Sequence, residues 1–178
     1  MRLDKLIANM GYGSRKEVRA LIKSGQVTVN GDVIKNNAQH VKPKEDIVMV
    51  NDKEVNYQKY IYIMMNKPPG YISATEDNYE QTVVDLLPEK YKIFNPFPVG
   101  RLDKDTEGLL LLTNNGQLAH HLTSPNKEIE KTYYAKINNF INESDISDFE
   151  KGVTLDDGYK ITYVWFIYKI INFGIISL

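Results

Sequence analysis

At Gly25 the apolar spacing changes from a helical period to an alternating one, and that switch commits the chain to a mixed α and β fold. Before it, Leu3, Leu6, Ile7 and Met10 recur at helical spacing. Gly11-Tyr12-Gly13 then breaks the chain, and Ser14 starts a second helix in which Ser14 and Glu17 fit a capping box. After it, Val27-Thr28-Val29 and Asp32-Val33-Ile34 flank Asn30-Gly31, the strongest short hairpin signal. A further strand, Ile47–Val50, runs into the polar stretch Asn51-Asp52-Lys53-Glu54, which reads as a domain boundary.

The rest of the sequence follows the same logic of short elements and tight turns. Tyr60–Met65 reads as a strand stopped by Asn66-Lys67-Pro68-Pro69-Gly70, and Val83–Leu87 reads as a helix before Pro88. A loop bounded by Gly100 and Gly108 precedes a buried-looking strand, Leu109–Thr113, the turn Asn114-Asn115-Gly116 and a helix over Gln117–Ser124. Tyr133–Ile137 is a further strand and Glu143–Glu150 a helix. Strands outnumber helices and the connections are short, so the expected class is α+β with a mainly antiparallel sheet. The expected organisation is a small module over residues 1–56, a larger part over 60–160, and a tail over 161–178.

Charge distribution says more here than total charge, which is only -1. Residues 1–56 carry 10 Lys and Arg against 7 Asp and Glu, whereas the remainder carries 12 against 16. On the second helix Arg15, Lys16, Arg19 and Lys23 share an arc of about 100°, and Val18, Leu21 and Ile22 fill another. One arc packs and the other is a cationic stripe, which taken alone is no more than a solvated face. The chain has no cysteine, so disulfides, thiolate zinc sites and cysteine nucleophiles are excluded. The charged, amphipathic start is not a signal peptide, and a cytoplasmic protein is expected.

Several motifs carry more information together than singly. Arg2-Leu3-Asp4-Lys5, Ser14-Arg15-Lys16-Glu17-Val18 and Val27-Thr28-Val29-Asn30-Gly31 resemble the α-L RNA-binding module first recognised in a small-subunit ribosomal protein. The resemblance implies that Arg2, Arg15, Lys16, Arg19 and Lys23 grip the RNA backbone, giving affinity by counterion release and no sequence reading. The run Val99–Gly116, with Gly100-Arg101-Leu102-Asp103-Lys104-Asp105-Thr106-Glu107-Gly108 at its centre, is similar along its length to the catalytic motif of pseudouridine synthases. Asn66-Lys67-Pro68-Pro69-Gly70 and Glu130-Lys131-Thr132-Tyr133 match the same family. Altogether about nine-tenths of the chain resembles the ribosomal small-subunit type A branch, and the start Met1–Lys5 and the run Gly70–Asp77 favour that branch over the large-subunit one.

What this resemblance implies is specific. Asp103 is the nucleophile in converting one uridine of small-subunit ribosomal RNA to pseudouridine, a reaction needing no metal and no organic cofactor. It either captures the anomeric carbon or helps remove a sugar proton to give a glycal. Arg101 occupies the space left by the flipped base and holds neighbouring phosphates, and Tyr133 lies on the flipped ring. The partner is that RNA or an assembling small subunit, met by a monomer with no membrane attachment. Taken singly, Asp103 reads as a turn cap, Arg101 as a salt-bridge partner and Tyr133 as a core residue. Asp103-Lys104-Asp105 also spells a tripeptide of metal-dependent transferases, common by chance, and His120 and His121 diverge by about 100° on a helix, so neither supports a metal site.

Past the segment resembling Glu150–Gly158, family members continue through further strands to a Gly-Lys-aromatic-His-Gln motif and basic residues, for which this sequence has no match. The resemblance then implies a truncated catalytic domain in which Asp103 lacks its cation partner. Ile161–Leu178, apolar except for residues such as Lys169 and Asn172, is expected to be a frame-shifted or otherwise aberrant ending, a transmembrane helix being the competing reading. Translating the downstream DNA in the other two frames tests this. The alternative function is that of a catalytically inactive RNA-binding remnant.

Overall fold

The computed structural model describes residues 1–127, 129–136, 142–154, 158, 160–161, 165–169 and 173–177. The chain divides into two compact units, Met1–Thr123 and Ser124–Leu178. Every named strand pair is antiparallel; among the described residues a parallel pairing occurs only as the isolated bridge Ile72–Thr82. The α+β class expected from the period switch is the one observed.

The first unit opens with α1 (Leu3–Asn9) and α2 (Arg15–Lys23). The Ser14 hydroxyl accepts from the Glu17 amide, and the Glu17 carboxylate accepts from the Ser14 amide at 2.7 Å, so the capping box forms as read. Then come β1 (Val27–Val29), β2 (Asp32–Val33), β3 (Val48–Val50) and β4 (Lys53–Glu54), in the sheet order β2-β1-β3-β4. Asn30 and Gly31 both take positive φ, as a two-residue turn joining twisted strands requires. The polar stretch Asn51–Glu54 behaves likewise: Asn51 and Asp52 have φ of 49° and 61°, and they turn β3 into β4. It is a hairpin within the module, and Val55 beyond it joins the same core. That core gathers Leu3, Leu6, Ile7, Val18, Ile22, Val27 and Val50, each fully or almost fully buried, and each stabilising by roughly 1.5–3 kcal/mol.

Further along lie β5 (Tyr62–Lys67), α3 (Glu89–Lys92), β6 (Phe97–Val99), β7 (Gly108–Thr113) and α4 (Gly116–Thr123), with sheet order β5-β7-β6. Register pairs Ile63 with Leu112 and Met65 with Leu110, and these side chains face a second core with Val83 and Leu87. The expected helix over Val83–Leu87 is instead two successive turns, closed by Asp85 amide to Thr82 carbonyl and Leu87 amide to Val84 carbonyl bonds. The Asp85 carboxylate accepts from both the Thr82 amide and hydroxyl, and Pro88 supplies no amide to extend the ladder. The strand β6 escaped the reading because Pro98 argues against a central strand; it sits on the sheet edge, where proline is tolerated.

The second unit holds a 3-10 turn at Pro125–Lys127, β8 (Thr132–Lys136), α5 (Glu143–Lys151), β9 (Val153–Thr154), β10 (Lys160–Ile161), β11 (Trp165–Lys169) and β12 (Phe173–Ser177). Strands β11, β12 and β8 form one sheet in that order, and β9 pairs with β10. Among the described residues no helix is long and apolar enough to cross a membrane. Ile137 and Asn172 lie outside the described residues.

Candidate active site and nucleic-acid face

The loop joining β6 to β7 carries Arg101 and Asp103, and its backbone is held from beneath by residues far away in sequence. Parity along β5 sends Ile63, Met65 and Lys67 to the inner face, and Lys67 is wholly buried. Its Nζ donates to the carbonyls of Lys104 and Thr106, each at 2.9 Å, and of Pro68 at 3.2 Å. Three carbonyl dipoles thus replace the water that a buried amine gives up. The Gly70 amide donates to the Lys104 carbonyl at 2.8 Å, from a turn in which Gly70 has a φ of 90° that a side chain would strain. On the other side of Asp103, the Ser73 hydroxyl donates to the Leu102 carbonyl at 2.7 Å and accepts from the Leu102 amide at 3.0 Å. Asp103 itself closes a turn, its carbonyl accepting from the Thr106 amide.

Above this pinned backbone lies a hollow of about 430 Å³ lined by Ile72, Ser73, Ala74, Asp77, Arg101, Leu102, Asp103 and Lys104. Its two carboxylates differ in what they do. Asp77 accepts from the Tyr79 and Glu80 amides, which hold its carboxyl below the ordinary range. Lys104 donates to Glu80 at 2.7 Å, and that hydrogen bond holds its ammonium in the protonated form more firmly than usual. Asp103 and Arg101 are exposed, and neither side chain has a hydrogen-bond or ion-pair partner among the described residues. Among the described residues Arg101 is therefore not tied to a carboxylate, and Asp103 does not cap its own turn through its side chain. Both ends remain available to a ligand in the hollow.

Tyr133 stands on β8 in the second unit and is half-buried. His120 and His121 are both exposed on α4. Among the described residues no group of three or more His, Asp or Glu is placed to hold a metal ion.

The basic face of the N-terminal module is organised by a residue to which the sequence reading gave no role of its own. Asp4 is wholly buried, and its carboxylate accepts from Arg2 Nε at 3.1 Å and Nη2 at 2.9 Å, from Arg15 Nη2 at 3.2 Å and from Arg19 Nε at 3.1 Å. Lys16 and Lys23 are exposed on the same helix. Burial opposes ionisation of Asp4, but the bonds from Arg2, Arg19 and Arg15 together outweigh it and hold the carboxyl well below the usual range. A depressed folded-state value stabilises above the unfolded value of 3.8, and that stability is lost as pH falls through the folded one. The expected result is that Asp4→Asn costs about 2 kcal/mol in urea unfolding at neutral pH. The gap should close below about pH 4, where the wild type loses this contribution and the variant has none to lose.

Three residues whose side chains tie distant segments together, Asp4, Lys67 and Ser73, thus escaped the sequence reading. Two had a signal. Asp4 lies three residues from Ile7, on the apolar arc of α1, and Lys67 continues the inward parity of Ile63 and Met65; a charge on a buried face needs a partner. Ser73 had none, since its partner is a backbone group 29 residues away.

Comparison with known proteins accords with this geometry. The pattern of the RNA pseudouridylate synthase family matches residues 61–164, and that of the S4 domain matches residues 1–48. The chain is 56% identical over 160 residues to the uncharacterized RNA pseudouridine synthase YtzG of Bacillus subtilis (strain 168), covering 90% of this chain and 67% of that one. It is 38% identical over 161 residues to ribosomal large subunit pseudouridine synthase B of the same organism, covering 88% and 64%. To ribosomal small subunit pseudouridine synthase A of Salmonella typhimurium it is 37% identical over 164 residues, covering 91% and 70%. A crystal structure of a pseudouridylate synthase superposes with a TM-score of 0.61 at 26% identity, over 100% of this chain and 76% of that one. The chain spans about two thirds of the length of the curated relatives it matches. A match over more than half its length, joined to an S4 domain and to close relatives, makes this chain a member of the RNA pseudouridylate synthase family.

Proposed function

We propose that the chain isomerises a uridine of small-subunit ribosomal RNA to pseudouridine, with Asp103 as nucleophile. The observation that carries this reading is that the Asp103 carboxylate and the Arg101 guanidinium, each without a partner among the described residues, line one hollow on a loop whose backbone is pinned. The reaction breaks the bond from the sugar C1′ to N1 of the base, rotates the base and forms the bond from C1′ to C5. The C5 hydrogen leaves as a proton and N1 regains one, so no atom or electron is gained overall. Asp103 either bonds to C1′ while the base turns or assists removal of a sugar proton. The uridine must first leave its stack, at a cost of a few kcal/mol that the protein has to meet. Arg101 fills the vacated space and holds phosphates, Tyr133 lies on the flipped ring, and Arg2, Arg15, Lys16, Arg19 and Lys23 grip the backbone. The protein acts as a cytoplasmic monomer on small-subunit ribosomal RNA or on an assembling small subunit.

The small-subunit target is supported by the likeness to Salmonella synthase A, while the 38% identity to a large-subunit synthase favours a second reading. The test is to incubate the protein with both ribosomal RNAs and map pseudouridine by carbodiimide modification and primer extension. Product in small-subunit RNA is expected. Product in large-subunit RNA alone would replace the target, and product in neither would leave an RNA-binding remnant.

A further inference from the structure

Among the described residues Asp4 is the one acidic side chain that is fully buried, and three half-exposed arginines converge on it from two different segments. Arg2 comes from the residue before α1, and Arg15 and Arg19 come from successive turns of α2. As a device for stability this is a poor choice. A carboxylate there must shed its water, whereas an apolar residue would extend the stripe of Leu3, Leu6 and Ile7, and replacing buried ion pairs by apolar groups is often neutral or favourable. As a device for attracting RNA by charge alone it is also a poor choice, because Asp4 cancels one of the positive charges beside it.

What Asp4 does supply is orientation. Arginine is long and rotamer-rich, and ordering three of them on contact with a ligand would subtract from affinity. Here each guanidinium is already anchored by one or two N–H groups, and each keeps at least three donors clear of the carboxylate. The cluster carries a surplus of two positive charges, and its arginines are 39%, 50% and 46% exposed. Planar forks held in fixed directions suit the tetrahedral oxygens of a phosphate. Resting on the reading of this face as the RNA-binding one, we propose that Asp4 is a positioning residue that holds Arg2, Arg15 and Arg19 as a preformed clamp for a backbone phosphate group.

The sign of one substitution separates this from simple charge attraction. Asp4→Asn makes the module more positive, which by counterion release tightens binding; loss of a preformed clamp loosens it. The experiment measures affinity for a fluorescein-labelled small-subunit ribosomal RNA hairpin across a salt series, using the whole chain. Asp32→Asn serves as the charge-matched control, since Asp32 is exposed on β2 and, among the described residues, makes no ion pair with Arg2, Arg15 or Arg19, which pair with Asp4. Expected is a loss on the order of tenfold for Asp4→Asn, with a shallower salt dependence, while Asp32→Asn binds as well as wild type or slightly better. In an Arg15→Ala/Arg19→Ala background, which keeps Arg2 on Asp4, the effect of Asp4→Asn should shrink sharply.

Tighter or unchanged binding by Asp4→Asn overturns the proposal, and so does an equal loss in both backgrounds, which would mark a merely structural role. If Arg15→Ala/Arg19→Ala binds like wild type, the reading of this face fails and the clamp fails with it. If Asp4→Asn does not fold, the wild-type Arg2 and Arg19 Nε–H resonances decide. Dispersed, slowly exchanging signals before RNA is added support the clamp, and signals averaged with those of solvent-facing arginines overturn it.

Discussion

Asp103→Asn is expected to lower the rate of tritium release from carbon-5-labelled uridine by on the order of 10⁴-fold or more, the scale on which loss of a nucleophile acts. The amide keeps the size and planarity of the carboxylate but cannot attack the anomeric carbon or accept a sugar proton. Because Asp103 is exposed and its side chain has no partner among the described residues, the change should leave folding untouched, so the urea midpoint serves as the control. Asp105, exposed two residues further on and outside the hollow, provides the comparison: Asp105→Asn should stay within about twofold of wild type, as surface substitutions generally do. The assay is run on the chain itself and on a chimera that adds the C-terminal remainder of the Bacillus subtilis relative. Full activity in the Asn variant of whichever form is active would falsify the catalytic assignment.

Lys67→Met is expected to lower stability by about 3 kcal/mol, because the thioether matches the length of the side chain but donates nothing to the carbonyls it leaves behind. Lys104 would keep its bond from the Gly70 amide, whereas Pro68 and Thr106 would lose the donor that Lys67 supplies. The first check is the urea midpoint. The second is the isomerisation rate at a temperature where the variant is still folded, which should also fall, since the loop that carries Asp103 loses its anchor at Thr106 and one of two at Lys104. A variant with wild-type stability would show that the three carbonyls find water or other donors, and the buried amine would then have no structural role to explain its burial.

Local order and the outline of the site were legible in the residues themselves. The capping box of Ser14 and Glu17, the Asn30-Gly31 hairpin and the strand over Leu109–Thr113 formed where period and turn chemistry put them, because each is decided by groups within a few positions of one another; the strand is buried on one face only, with Leu110 and Leu112 inside and Leu109 exposed. The same holds for Arg101 and Asp103, two residues apart on one short loop. The misreadings have equally local causes. Val83–Leu87 has helical composition, but the Asp85 side chain competes for the Thr82 amide and Pro88 withholds the next donor, so only turns form. Phe97–Val99 contains a proline, which hides an edge strand.

What the residues alone could not decide is which backbone groups a buried charge would meet. Lys67 and its carbonyl partners at Lys104 and Thr106 are 37 and 39 positions apart, and Asp4 and Arg19 are 15 apart. Such pairs exist only once β5 lies against β7 and α1 lies against α2, because hydrogen bonds need approach to within about 3 Å and chain separation says nothing of that. Asp103 was therefore identifiable as the candidate nucleophile from its sequence surroundings, while the bonds that pin the loop carrying it, and those that gather Arg2, Arg15 and Arg19 on Asp4, came from tertiary packing.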